Sequence, residues 1–327
     1  MIRRLIPAAL ALLALCCCTP DSRKDVPVKM IIETDMGNDI DDALALAMAL
    51  RAVDEGKVEL LAVGCHKNSP TAAAYTDAVC TWYGHPEIPV AMSATPVQEF
   101  SGYVDYTATV KDFETTADEY PEPVSLYRRI LASQPDGSVT FVSLGFGTTI
   151  AQLLESGPDK YSVFTGRELV ARKTRGLSVM AGSYGENKRA EYNVVNDIAA
   201  MKKVFELWPT AVWQNPFEIG KQTMYPGRLI EENLGYDRPN PVVEAYKAYK
   251  KMPYDRPSWD ILSVLYVLRP ELFTASVPGR VSIDEEGYNW FTPDPEGRHF
   301  VLSATLDQPQ ALMAEEQAMT YCDGADL

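Results

Sequence analysis

The chain has 327 residues, a hydrophobic fraction of 46%, and 45 acidic against 30 basic side chains, for a formal charge of −15. That hydrophobic fraction is ordinary for a globular protein, and the length suits one large α/β domain or two small ones. The negative balance repels nucleic-acid backbone and anionic lipid surfaces, which argues against any nucleic acid polymer as partner and leaves room for a neutral small molecule.

Residues 1–18 read as an export leader. Arg3 and Arg4 form its charged start, Leu5 to Leu15 its apolar segment, and Cys16, Cys17 and Cys18 follow. The apolar segment is too short to cross a bilayer, which takes about 20 residues. Cysteine directly after it, then the polar Thr19-Pro20-Asp21-Ser22-Arg23-Lys24, points to a bacterial lipoprotein. Residues 19–27 then form a short tether, and the protein meets the membrane only through a lipid anchor, facing the periplasm or the cell surface. Leu15 is an awkward cleavage residue, so all three cysteines stay candidates for the lipid, with an ordinary cleaved signal peptide as the alternative. Beyond the leader only Cys65, Cys80 and Cys322 occur, too sparse for a disulfide framework and without a zinc-type pair.

Over 28–327 strand-like and helix-like stretches alternate, which predicts a single Rossmann-like α/β domain with a mostly parallel central sheet flanked by helices on both faces. Val28 to Ile32 is the first strand and Asp42 to Val53, with Ala43, Leu44, Leu46, Ala47 and Leu50, the first helix. Val58 to Gly64 and Ala72 to Tyr83 repeat the pair. Proline and charge between Glu99 and Pro123 suggest a long surface loop or lid. Val139 to Gly145 is a third clear strand, followed by a helix from Thr148 to Glu155. Leu177 to Gly182 and Thr210 to Gln214 are strands on either side of a helix at Asp197 to Leu207. A helix at Val242 to Lys251 interrupts a Pro- and Tyr-rich stretch, and Asp260 to Leu268 is a helix stopped by Pro270. Gly279 to Ile283 and Phe300 to Thr305 read as short strands.

The segment Glu33-Thr34-Asp35-Met36-Gly37-Asn38-Asp39-Ile40-Asp41-Asp42-Ala43 concentrates acids at the end of the first strand. Ligands bind at the carboxyl ends of strands in open α/β sheets, and unpaired buried carboxylates are costly. A hard divalent cation, Ca²⁺ above all, removes that cost. Helix capping accounts for one of these aspartates, not for all four. An EF-hand loop is excluded by the spacing and by the strand ahead of it, and a haloacid-dehalogenase phosphatase would need a nucleophilic Asp where Glu33 stands.

This acidic run resembles the opening signature of the inosine–uridine-preferring nucleoside hydrolase family, roughly D-x-D-x-G-x-D-D-A, with two residues inserted. Gly145-Phe146-Gly147-Thr148-Thr149-Ile150-Ala151 is similar to that family's G-P-L-T-N-I-A, and Asn187-Lys188-Arg189-Ala190-Glu191-Tyr192-Asn193 to its ribose-binding N-x-x-x-E-x-N segment. Asn68 matches a sugar-contacting asparagine, and Asp260 the last metal-ligating aspartate. The resemblance implies Ca²⁺ held by Asp35, Asp42, Asp260 and the Leu144 carbonyl, with Asp35 also as general base. It implies ribose contacts from Asn68, Asn187, Glu191 and Asn193. Asp39 or Asp41 takes the adjacent family aspartate's role, with Asp39 favoured. A dimer or tetramer is likewise implied by resemblance alone.

Trp259 stands where better-known members carry a histidine that protonates the departing base. Trp259 instead offers a face for stacking on an aromatic leaving group. Tyr184, Tyr225, Tyr288 and Trp290 are further aromatic candidates. The body holds only His66, His85 and His299; His66, two residues before Asn68, is the one substitute acid near the expected site. Three functions compete: hydrolysis of ribonucleosides to base and ribose, non-catalytic binding of a sugar or nucleoside, and hydrolysis of another ribosyl or glycosyl compound.

Overall fold

The first strand, β1 (Val28–Thr34), shows why the chain folds in layers. Met30 and Ile32 bury themselves in the apolar cluster on one face of the sheet, while Ile31 enters the cluster on the other. A strand apolar on both faces must sit in the middle of a covered sheet. The computed structural model, which describes residues 26–95, 102–106, 113–116, 119–234 and 239–303, places it there.

The other strands are β2 (Val58–Cys65), β3 (Val90–Met92), β4 (Val139–Ser143), β5 (Thr174–Met180), β6 (Ala211–Asn215), β7 (Met224–Tyr225), β8 (Arg256–Pro257), β9 (Thr274–Ala275), β10 (Gly279–Ile283), β11 (Asn289–Pro293) and β12 (His299–Ser303). The main sheet runs β11-β10-β12-β6-β5-β4-β1-β2-β3, with β9 against β12; β7 and β8 make a separate ribbon. From β3 to β6, and on to β12, every pairing is parallel. In the main sheet only the pairings of β9, β10 and β11 are antiparallel, as is the separate β7–β8 ribbon. The predicted mostly parallel sheet is therefore observed, with an antiparallel extension at one edge.

Helices cover both faces. Asp41–Asp54, Pro70–Trp82, Pro241–Tyr249 and Trp259–Leu268 pack on one, and Pro123–Ser133, Thr148–Glu155, Gly166–Lys173 and Ile198–Leu207 on the other. The order 3-2-1-4-5-6 reverses direction between β1 and β4, and such a reversal opens a crevice at the carboxyl ends of the two strands. The loops after β1 and β4 carry Asp35 and Leu144.

One expectation needs correcting. The segment from Glu99 to Pro123 is not simply a surface loop: Gly102–Tyr106 is helical, and Tyr103 is 1% exposed. Its hydroxyl accepts the Gly37 N–H at 3.0 Å, beneath the acidic loop. Further on, the Asp77 carboxylate takes the Thr116 N–H and hydroxyl and the Tyr120 hydroxyl, which ties this stretch to the Pro70–Trp82 helix. The leader over 1–18, nearly all of the tether, the rest of the lid segment, the end of the last strand and Cys322 lie outside the described residues. Among those residues no helix is long and apolar enough to cross a membrane.

Candidate active site

A cleft of about 450 Å³ opens at the crevice between β1 and β4. Its acidic side begins where β1 ends. Gly37, at φ 104°, turns the chain toward the Asp41–Asp54 helix; a positive φ is a conformation glycine adopts readily. The helix has Ile40 as its N-cap and no side-chain cap, so the aspartates are not spent on capping. Asp35 and Asp42 instead take side-chain donors from Asn38 and Thr34. Asp41 accepts the backbone N–H of Asp260 at 2.9 Å, which brings the start of the Trp259–Leu268 helix onto the start of the first.

Asp35, Asp41, Asp42 and Asp260 are all buried. Burial first, and then the neighbouring carboxylates, push Asp42 and Asp260 well above the usual carboxylate range; burial and then Asp39 do the same for Asp41. Asp35 is raised by burial, against an opposing pull from Lys67. Lys67 is itself buried and donates to Asn38 Oδ1 at 3.2 Å. Asp39 pairs with Arg256 through Nε, at 2.8 Å, and Nη2, the two donors of one guanidinium edge.

Past β4, the Leu144 carbonyl accepts Asn193 Nδ2 at 2.8 Å. Asn193 follows Glu191, whose carboxylate caps the short Tyr192–Val195 helix and accepts the backbone N–H of Asn193 at 3.0 Å and of Gly182 at 3.3 Å. Burial pushes Glu191 up to about 7 even though those N–H groups oppose the shift. The opposite wall is aromatic and cationic. Trp259 stacks on Phe217 at 5.4 Å and donates its indole N–H to the Phe217 carbonyl at 2.9 Å. Arg256 lies 5.3 Å from the Tyr249 ring and 5.5 Å from Trp259.

Nine residues singled out in the sequence line this one cleft: Asp35, Asp39 and its alternative Asp41, Asp42, Leu144, Glu191, Asn193, Trp259 and Asp260. Asn68 and Asn187 do not; both side chains are exposed outside it. Nor do Tyr184, Tyr225, Tyr288 or Trp290, whose expected place is taken by Phe217, Tyr249 and Tyr192. His66 is fully buried behind the cleft, with Nδ1 2.7 Å from Glu33 and 2.9 Å from the Thr149 hydroxyl. His85 pairs with Asp54 at the surface. His299 is buried against Phe205, its Nδ1 accepting the Val281 N–H at 2.8 Å, and burial lowers it to about 4. Among the described residues no histidine lines the cleft.

The sequence profile of the inosine-uridine preferring nucleoside hydrolases matches residues 30–318. The chain belongs to that family. A probable uridine nucleosidase 1 from Oryza sativa subsp. japonica is 27% identical over 189 residues, 54% of this chain and 55% of that protein, so the match spans about half the length of that curated relative. A plant nucleoside hydrolase superposes with a TM-score of 0.69 at 20% identity, over 91% of this chain and 100% of the other. An inosine-uridine preferring nucleoside hydrolase from Bacillus anthracis gives 0.67 at 17%, over 89% and 99%. At these identities the superpositions establish the nucleoside hydrolase fold.

The donor set of this nucleoside hydrolase cleft suits a hard cation. It is all oxygen, and Asp41 Oδ1 and Asp42 Oδ2 are buried without a hydrogen-bond partner. Among the described residues no three acidic, histidine or cysteine side chains are closed into a metal-holding group. Sequence reasoning missed Lys67, Arg189, Phe217, Tyr249 and Arg256. For Arg256 one signal was available: it stands three residues before Trp259.

Proposed function

We propose that the chain is a calcium-dependent N-ribohydrolase that cleaves the N-glycosidic bond of ribonucleosides to free base and ribose. One observation carries this: acids from the first loop and from a helix more than 200 residues later share a cleft with Glu191 and Asn193, and two of their buried oxygens have no partner. Asp35, Asp42, Asp260 and the Leu144 carbonyl would hold the cation, which when bound neutralises the acids and acidifies water. Asp35, its carboxylate oriented by Asn38, accepts the proton of the attacking water. The surrounding carboxylates stabilise positive charge as it develops on the sugar ring. Glu191 and Asn193 anchor the sugar hydroxyls away from the reacting carbon, and Trp259 packs on the departing base.

Release of free ribose from inosine or uridine tests this directly; equal reducing sugar with and without enzyme rejects it. The absence of a histidine from the cleft wall supports a second reading, binding without turnover. Tight calorimetric binding of nucleosides with no product would select that alternative. The leader pattern of Arg3, Arg4, Leu5 to Leu15 and the three cysteines supports an exported, lipid-anchored enzyme that acts outside the cytoplasm.

A further inference from the structure

The aromatic wall ends in a charge that nothing else in the cleft uses. Arg189 lines the cleft and lays its guanidinium over the Phe217 ring at 4.0 Å; Phe217 in turn stacks on Trp259. Arg256, the other arginine of this wall, is neutralised by Asp39. Among the described residues no carboxylate pairs with the Arg189 side chain. The nearest acid in sequence to Phe217, Glu218, is turned onto the Ser183–Gly185 turn, taking the Ser183 hydroxyl and the Tyr184 and Gly185 N–H groups on one oxygen. A guanidinium held flat by stacking keeps its edge free for a planar anion. In a chain of charge −15, an unpaired cation at this point gives the cleft mouth a local positive charge against the overall balance.

No histidine lines the cleft, and burial raises the phenol of Tyr249 on this wall above its ordinary range, which makes it a poor proton donor to a leaving base. A good aglycone for this wall therefore leaves without needing a proton.

Resting on the hydrolase reading above, we infer that the preferred substrates are N-ribosides whose aglycone is a positively charged heterocycle bearing a carboxylate, such as a pyridinium carboxylate, with the carboxylate on Arg189 and the ring on the Trp259–Phe217 stack. The bookkeeping closes. The C1′–N bond breaks with its electron pair going to the ring nitrogen, which cancels the pyridinium charge. The water oxygen bonds to C1′, and its proton passes to Asp35.

The test compares kcat/KM for the ribosides of pyridine-3-carboxylate and pyridine-3-carboxamide, which differ in charge and scarcely in shape. The wild type is expected to favour the carboxylate about tenfold, the scale of one partly exposed charge-assisted hydrogen bond. Arg189→Gln brings the ratio close to one, and Arg189→Lys, which keeps the charge and loses the fork, retains part of it. Arg189 is exposed, and melting curves of both variants verify folding. A wild-type ratio at or below one, or an unchanged ratio in Arg189→Gln, overturns the inference while leaving the hydrolase reading in place. No ribose from either compound while inosine or uridine is still cleaved overturns the inference alone; no ribose from any of the four overturns both.

Discussion

The backbone N–H of Asp260 donates to the Asp41 carboxylate at 2.9 Å, so the helix that begins at Asp41 and the helix that begins at Trp259 meet start to start. That bond fixes acids from opposite ends of the chain in one cleft, and it leaves the second Asp41 oxygen buried and unpartnered. The two side-chain changes possible here separate the bond from the charge. Asp41→Ala strands a buried N–H and is expected to cost about 1–3 kcal/mol. Asp41→Asn keeps an oxygen acceptor and removes one of several repelling charges, so in chelator it melts above the wild type. Thermal melts of the three proteins in chelator check the order.

Gly145 marks how closely the loop after β4 approaches Asp35, the proposed general base. A Cβ at that position would lie 2.7 Å from Asp35 Oδ1 and 2.8 Å from its Cβ and Cγ. Asp35 is buried and has no room to give way. Gly145→Ala should displace the carboxylate and lower kcat/KM about 100-fold, the scale of a misplacement near 1 Å. The far-ultraviolet circular dichroism should be unchanged, and steady-state ribose release reads the loss.

Glu191 gives a pH signature. Burial raises it from its ordinary 4.5 to about 7, so across that interval the folded state binds more protons than the unfolded state. Stability from this group therefore falls as pH rises from about 4.5 through about 7, by something of the order of 3 kcal/mol. The clustered aspartates slope the same way, so the informative quantity is a difference: wild type minus Glu191→Gln should show that decline, in denaturant melts at fixed metal from pH 4.5 to 8.

Trp259 is held by its stack on Phe217 and by its indole bond to the Phe217 carbonyl. If its face receives the departing base, Trp259→Ala removes roughly 1–3 kcal/mol of stacking. Expected is a kcat/KM loss of about 5- to 100-fold on purine ribosides. Purine and pyrimidine ribosides assayed side by side give the answer, the smaller ring losing less.

Much of the fold could be read from the chain. Strands apolar on both faces and helices with one apolar stripe left few alternatives, and the Thr148–Glu155 helix and the Gly279–Ile283 strand fall where periodicity put them. The acidic half of the cleft was legible too, because unpaired acids after a buried strand have few other uses. Past a strand's last residue, however, the alternation no longer fixes direction: after β2, Lys67 turns inward and Asn68 outward, against the expectation from residue type alone. Lys67 is buried because of carboxylates contributed by another loop, and that is a tertiary fact. Arg256 and Asp39 are 217 positions apart, and neither carries a local mark of its partner. Asn187, close in sequence to Glu191, stays in the exposed turn because the chain enters the cleft only from Arg189 onward.

The most direct test of the central claim is ribose release from inosine and uridine by enzyme stripped with chelator, before and after Ca²⁺ is restored. Calcium dependence predicts negligible release when stripped, recovery with Ca²⁺ in the wild type, and no recovery in Asp35→Asn or Asp260→Asn. Full release by the stripped enzyme, or recovery undiminished in both variants, would contradict it.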